Sequence, residues 1–424
     1  MAYTKYSLTP ANNTAAPPDG APEGMLPSAV NDTMRDMMAQ IRDAGDGIRD
    51  GTYTMTAAKI TGGTITGITD LAIADGGTGA STAASARTNL GLDGFVNMKN
   101  RIINGAMVID QRNAGASVSS TGSGPFGVDR WRGYGSGGGV FTLQQSTTVP
   151  NNKFRNSTIL TVTTADTSIA SSDYYSFNQD IEGFNAADLA FGTADAQTVT
   201  LSFWVRASVT GTYSVSLYNN GGTRGYPATY TISSADTWTF ISLTILGDTG
   251  GTWVTNNGVG ITIRFDLGSG SSGNGTANTW NTSGTYAANR TSSTVNWIST
   301  NGATFYITGV QLEVGSTATS FDYRPYGTEL ALCQRYYEVG GYNGSALWSG
   351  DTATSVAYYY SNQYVVAKRA SPTTTTTNYG RNGFPVGASS IIFNSVGSFV
   401  ATRTSDSTVN GGYFTDTWTA SAEL

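Results

Sequence analysis

The chain has 424 residues, 53 of them glycine, and only 12% carry charge, against ~25% in ordinary soluble domains. That length exceeds one ordinary domain. Low charge combined with 11% aromatic residues excludes both a solvated helical protein and ordinary disorder. With no histidine, one cysteine (Cys333) and a net charge of −6, one chain can build no histidine-based triad, no internal disulfide and no Cys/His zinc site, and it offers nucleic acid no basic footprint.

Residues 1–27 carry Pro10, Pro17, Pro18, Pro22 and Pro27. Such a stretch cannot be a long helix or a central strand; it is a flexible tail or an extended peptide that orders on a partner. The opening residues lack the apolar core of a secretory signal, so the protein is expected to stay in a cytosol or to leave by another route. No apolar run approaches a membrane span, and no membrane insertion is expected. A helix is predicted over 28–51, capped by Ser28 or Asn31 and closed by Gly51. Val30, Met34, Met37, Ile41, Ala44 and Ile48 recur at the a/d spacing of a heptad seam. One apolar stripe on about five turns is marginal alone, so the seam predicts a short coiled coil.

Residues 52–94 change character. Isolated Ile60, Ile65 and Ile68 sit between Gly and Thr in KITGGTITGIT. They are too sparse for a globular core, but three chains wound round one axis can pool them in a thin one. An intertwined Gly/Thr-rich neck is therefore expected. The run Gly76 to Leu92, GGTGASTAASARTNLGL, reads as a glycine turn, a short helix and a stop.

This run resembles a module of bacteriophage tail fibres and tail-collar proteins, and the opening from Ala16 to Gln40 is similar to the N-termini of phage fibre proteins. The resemblance covers about the first 95 residues. It implies a virion structural protein that is a homotrimer, docked through its N-terminus to phage tail or baseplate/adaptor proteins and assembled in the host cytoplasm.

Over 95–340 apolar and polar residues alternate with period two. Val199, Leu201, Phe203 and Val205 share one face, as do Tyr213, Val215 and Leu217; further strands are predicted at 238–245 and 305–314. Many short strands separated by Gly, Asn and Asp indicate an antiparallel β-sandwich of jelly-roll type. The phrases LSFWVRAS (201–208) and FYITGVQLE (305–313) resemble jelly-roll carbohydrate-binding modules. Residues 341–424, with Tyr358 to Tyr360, Thr373 to Thr377 and Ile391 to Phe393, read as a small C-terminal β domain. The fold class is mainly β.

No catalytic residues and no cofactor are expected. Asp180 and Glu182 alternate on one strand face and read as a solvated strand face or a loop hydrogen bond, and an enzyme is not the reading the sequence favours. Asp129, Asp173 and Asp266 are available to a loop cation, yet no segment has EF-hand spacing, so the metal content stays open. Sugar rings present C–H faces that stack on aromatic rings, and their hydroxyls need polar partners. Trp253, Trp280, Tyr342 and Trp348 lie among Gly, Asn and Thr and are the glycan-binding candidates; Trp131 and Trp204 read as packing. The expected function is attachment to a host surface glycan. A collar, head-fibre or decoration protein without receptor role, and a capsule-depolymerising tailspike, remain the alternatives.

Overall fold

The computed structural model describes residues 26–50, 98–121, 124–282, 290–341 and 348–424, with isolated positions between 78 and 90. The neck residues Ile60, Ile65 and Ile68, and Tyr342, lie outside the described residues. Residues 1–86 and 87–424 form two compact units.

In the first unit, helix α1 runs Pro27–Asp50. Ser28 and Asn31, the expected caps, lie inside it. Pro27 opens the helix because its fixed φ suits the first helical position and its missing N–H is no loss there. The Leu26 carbonyl accepts from the amides of Ala29 and Val30 at 2.9 and 3.1 Å. Val30, Met34, Met37 and Ile41 are all exposed, at 38 to 62%. Asp32 pairs with Arg35 and Asp46 with Arg42 on the polar side.

The second unit begins with a β-sandwich. Its strands are β1 (Val118–Ser119), β2 (Phe126–Val128), β3 (Trp131–Gly135), β4 (Val140–Ser146), β5 (Ser157–Thr164), β6 (Tyr174–Glu182), β7 (Val199–Ala207), β8 (Gly211–Asn219), β9 (Gly225–Ile232), β10 (Thr239–Ile245), β11 (Val259–Ser269) and β12 (Thr304–Val314). One sheet has the order β1-β4-β5-β12-β7-β10, the other β2-β3-β6-β11-β8-β9. All strand pairs are antiparallel, and the chain crosses repeatedly between the sheets, as in a jelly roll.

The core is the predicted alternation made solid. Val199, Leu201, Phe203 and Val205 of β7 meet Tyr213, Val215 and Leu217 of β8 and Ile261, Ile263 and Phe265 of β11, all fully buried or nearly so. Rings run through it: Trp131 stacks on Phe177 at 5.0 Å, and Phe203 meets Phe265 and Tyr230 at 5.0 and 5.1 Å. Each such ring buried contributes roughly 2 kcal/mol from area alone.

Residues 98–110 close one end by borrowing side-chain amides as strand partners. Gln179, on the core side of β6, takes both the N–H and the C=O of Ile103. Asn104, at φ 57°, does the same for Ile109. Gly105 allows the approach: a Cβ there would lie 2.2 Å from the Val310 carbonyl of β12.

Helix α2 (Tyr326–Gln334) leads into the C-terminal β domain, made of β13 (Tyr337–Gly341), β14 (Trp348–Thr352), β15 (Ala357–Gln363), β16 (Thr373–Asn382), β17 (Ser390–Asn394), β18 (Ser398–Thr404) and β19 (Val409–Ser421). β13, β14 and β16 all pair with β19, while β15-β18-β17 form a second sheet over a core of Tyr360, Phe384, Phe399, Phe414 and Trp418. Strand β13 runs across residue 340, where the sequence reading put the boundary.

The sandwich and the C-terminal domain join through buried charge. Arg335 holds Glu182 bidentately at 2.9 and 2.6 Å, and Tyr336 donates to the same carboxylate at 2.6 Å. Arg130 and Arg112 both grip Glu423, and Arg130 lies over the Tyr336 ring. Burial opposes ionisation of Glu182, but the hydrogen bonds from Arg335 and Tyr336 hold its carboxyl below the ordinary value. Its folded pKa is thus depressed. The stabilisation is whole above the unfolded carboxylate pKa, ~4.3, and is lost as pH falls through the folded value. Glu182→Ala should cost about 3 kcal/mol in urea unfolding at pH 7, leaving Arg335 without its partner, and the gap to wild type should narrow below pH ~4. A gap that stays constant with pH would show that ionised Glu182 contributes nothing.

Candidate functional site

The sequence candidates separate. Trp253, in the β10–β11 loop, and Trp280, after β11, come together edge to face at 5.5 Å and 84°. Phe191 meets both, at 5.0 and 5.8 Å, and Tyr226 meets Trp280 at 5.2 Å. Both indoles are half-buried, and their N–H groups are taken by backbone carbonyls, Trp253 by Gly250 at 3.1 Å and Trp280 by Leu246 at 2.8 Å. Trp348 packs into the C-terminal core, 4.2 Å from Tyr358 and 5.5 Å from Phe384. Trp131 is fully buried, and half-buried Trp204 packs on Phe240 at 5.3 Å.

A different surface gathers the chemistry. On the outer face of the second sheet, register aligns Arg132, Asn178, Arg264 and Ser216 in one row across β3, β6, β11 and β8. Tyr134, Ser176 and Asp266 form the row on one side, and Asp180, Thr262 and Tyr218 the row on the other. An outward sheet face normally carries solvated side chains, whereas Ser176, Asn178, Ser216, Thr262 and Arg264 are each 5% exposed or less. Half-buried Tyr134, Tyr174 and Tyr218 stand among them.

Asp180, expected on a solvated strand face or in a loop hydrogen bond, is buried within the sheet: Arg132 pairs with one of its oxygens and Thr262 donates to the other at 2.5 Å. Glu182 was expected beside it in solvent and is likewise buried, in the domain junction. The reason is tertiary, since arginines from β3 and from α2's C-terminus reach over the strand. Arg264 donates to the Tyr218 hydroxyl at 2.8 Å and lies over the Tyr218 and Tyr174 rings at 4.8 and 5.4 Å. Arg132 lies over Tyr134 at 4.9 Å. Burial pushes the Tyr134 and Tyr218 phenols above their ordinary value, so both stay protonated donors at neutral pH.

The buried polar atoms on this face without a hydrogen-bond partner include Ser176 Oγ, Asn178 Oδ1, Ser216 Oγ and Asp266 Oδ2. A buried polar atom left unpaired costs about 1–3 kcal/mol, and native structures keep few of them. These atoms lie together on one sheet face, among half-buried tyrosines. The signal was present in sequence as the outward positions of β6, β8 and β11, but small polar residues on a strand read as ordinary solvent-facing ones.

The aspartates considered for a cation are each engaged elsewhere. Asp129 accepts from Gln111, Asp173 from the Ala170 amide, and Asp266 from Ser269 with Arg290 at 3.6 Å. Among the described residues no three carboxylate or thiol groups cluster as a metal site, and no helix is long and apolar enough to cross a membrane.

No protein-family model and no curated protein matches the chain. Solved structures match about half of it. The enzymatically active domain of bacteriophage CBA120 tailspike protein 4 is 15% identical over 51% of this chain and 22% of its own, with a TM-score of 0.27. A structure titled "CBM4 structure and function" is 17% identical over 50% of this chain and 98% of its own, TM-score 0.25. The family 11 carbohydrate-binding module of the cellulosomal cellulase Lic26A-Cel5E of Clostridium thermocellum is 11% identical over 49% and 99%, TM-score 0.24. The match thus spans about a fifth of the tailspike domain.

If Trp253 and Trp280 are packing groups, Trp253→Ala and Trp280→Ala should each lower unfolding stability by ~3 kcal/mol. A double-mutant cycle should return a coupling of about 1 kcal/mol. Unchanged stability in both single variants would return the pair to the ligand-binding candidates.

Proposed function

We propose that this chain is a fibre-type virion attachment protein: a homotrimer whose N-terminal peptide and helix dock to the phage tail, and whose sandwich binds a host surface glycan on the outer face of its second sheet. The observation that carries the binding half is the group of unpartnered buried polar atoms among the half-buried Tyr134, Tyr174 and Tyr218. A saccharide meets both demands of that face. Its C–H faces pack on the phenol rings, and its hydroxyls, each a donor and an acceptor, match the polar character of the face between them. Arg132, Asp180 and Thr262 fix one another, so the polar groups are held before the ligand arrives and little ordering entropy opposes binding.

The assembly half rests on α1, where Val30, Met34, Met37 and Ile41 leave an apolar stripe exposed at heptad spacing. A second and third copy of the same helix cover it without like-charge conflict, since the acidic and basic residues lie off the stripe. Three weak sites on one stalk then act together, raising avidity without any new contact. The protein acts by binding in this reading, not by catalysis: Asp180 and Glu182 are committed to arginines and neither is placed to donate or accept a proton at a bond.

Two measurements test it. Light scattering on the full-length protein should give about three times the 44.3 kDa chain mass; a monomer would sink the fibre reading. On an array of bacterial surface polysaccharides the protein should retain at least one glycan, and Asn178→Ala or Tyr134→Ala should weaken it about tenfold. Retention unchanged in both variants would remove the binding face from this proposal.

A further inference from the structure

A recess separate from the outer sheet face lies where three stretches converge: residues 100–108, the turn 153–155 between β4 and β5, and residues 321–329 after β12. It encloses about 90 Å³. Phe154, Phe321 and Tyr323 line it as mutually packed rings with centroids 4.8 to 5.5 Å apart. Phe154 is buried and Tyr323 is 49% exposed, so the aromatic wall runs from the interior to the rim. Gly309 makes room for it. Its φ is +64°, β12 shifts register between Thr308 and Gln311, and a Cβ at this position would lie 2.7 Å from the Phe154 ring.

The charged groups divide into two kinds. Arg324 belongs to the wall: it donates to the carbonyls of Asn100 and Ile102 and pairs with Glu329, which in turn accepts from the Asn104 amide. Asp322 is held by the Asn100 amide at 3.4 Å and faces Arg324 at 3.6 Å. Lys153 and Arg155 are of the other kind. Both are exposed and line the recess, and neither has an ion-pair partner among the described residues. The Asn151 side chain accepts from the Lys153 amide at 3.0 Å and the Asn151 carbonyl from that of Phe154 at 3.2 Å, which fixes the turn while leaving both cationic heads uncommitted.

We propose that this recess binds one terminal carboxylated sugar residue, of the uronic acid class. The ring's C–H face lies on Phe321 and Tyr323, and the carboxylate is met by Lys153 and Arg155. At about 90 Å³ the recess lies well below the ~300 Å³ of pockets that enclose drug-sized molecules, so it takes in one face of a single sugar ring and leaves the rest of the ligand outside. Charge decides against a neutral one. On a chain of net charge −6, two unpaired cations beside an aromatic wall are a local attraction for an anion that must also present an apolar face. The class of ligand rests on the glycan-binding reading; the site does not.

The test is titration of the full-length protein, followed by NMR, with sodium D-glucuronate, D-glucose and sodium acetate. Glucuronate should bind, and glucose and acetate should each be at least about tenfold weaker. The double variant Lys153→Ala/Arg155→Ala should weaken glucuronate about tenfold, and Tyr323→Ala should weaken it too. Both alter exposed side chains, and an unchanged melting curve verifies the fold. Asn178→Ala should leave glucuronate binding as it is, whereas it weakens the glycan held on the outer sheet face, so the two readings fail separately. No binding of glucuronate, glucose binding as tightly, acetate binding as tightly, or indifference to the double variant would each overturn the proposal.

Discussion

A charge removed from water must find a partner, and in this chain that requirement fixes how the pieces meet. Charged residues are few, and many of those in the sandwich and C-terminal domain are buried in pairs: Arg132 with Asp180, Arg335 with Glu182, Arg130 with Glu423, Arg224 with Asp248, Lys368 with Glu338, Arg403 with Asp416. Such pairs add little net stability over well-packed apolar groups, yet losing one member is costly. They therefore act as registry marks. Lys368 reaches Glu338 and the Gln334 carbonyl together, which sets the C-terminal domain against α2, and Glu182 sets α2 against β6.

The same constraint shapes the outer face of the second sheet. Asp180 anchors Arg132 and Thr262, and Arg264 lies over the Tyr174 and Tyr218 rings. The result is an outer sheet face that is polar, buried and rigid. Such a face differs from a packed core, where polar atoms would be absent, and from a solvated face, where water would satisfy them. The unpartnered oxygens of Ser176, Asn178 and Ser216 are what separates it from a structural polar network, in which each member would be paired.

Aromatic residues follow a different logic. Tryptophan is the obvious sugar platform in a sequence, but a large ring with one N–H is equally suited to cap the end of a sandwich if a carbonyl lies nearby. Trp253 and Trp280 have found such carbonyls, and Trp348 fills a core. The half-buried rings among the polar groups of the outer sheet face are tyrosines. The recess at Phe154, Phe321 and Tyr323 depends on a glycine bulge in β12 and on a turn from a distant loop.

Period-two alternation alone pointed to β7, β8, β10 and β12 and to the inward residues of β7 and β8, because burying one face of a strand admits only one pattern. Val199 to Val205 and Tyr213 to Leu217 needed no tertiary information. The heptad spacing of Val30 to Ile41 pointed in the same way to a helix with one apolar stripe. Which outward residues would be buried was decided only in three dimensions. Asp180 and Ser176 look alike in a strand whether water or an arginine from another strand stands over them, and the pairing of Arg335 with Glu182 spans 153 residues. Local pattern fixes the face a side chain points to, while what waits on that face is set by strand order and by the partner its charge requires.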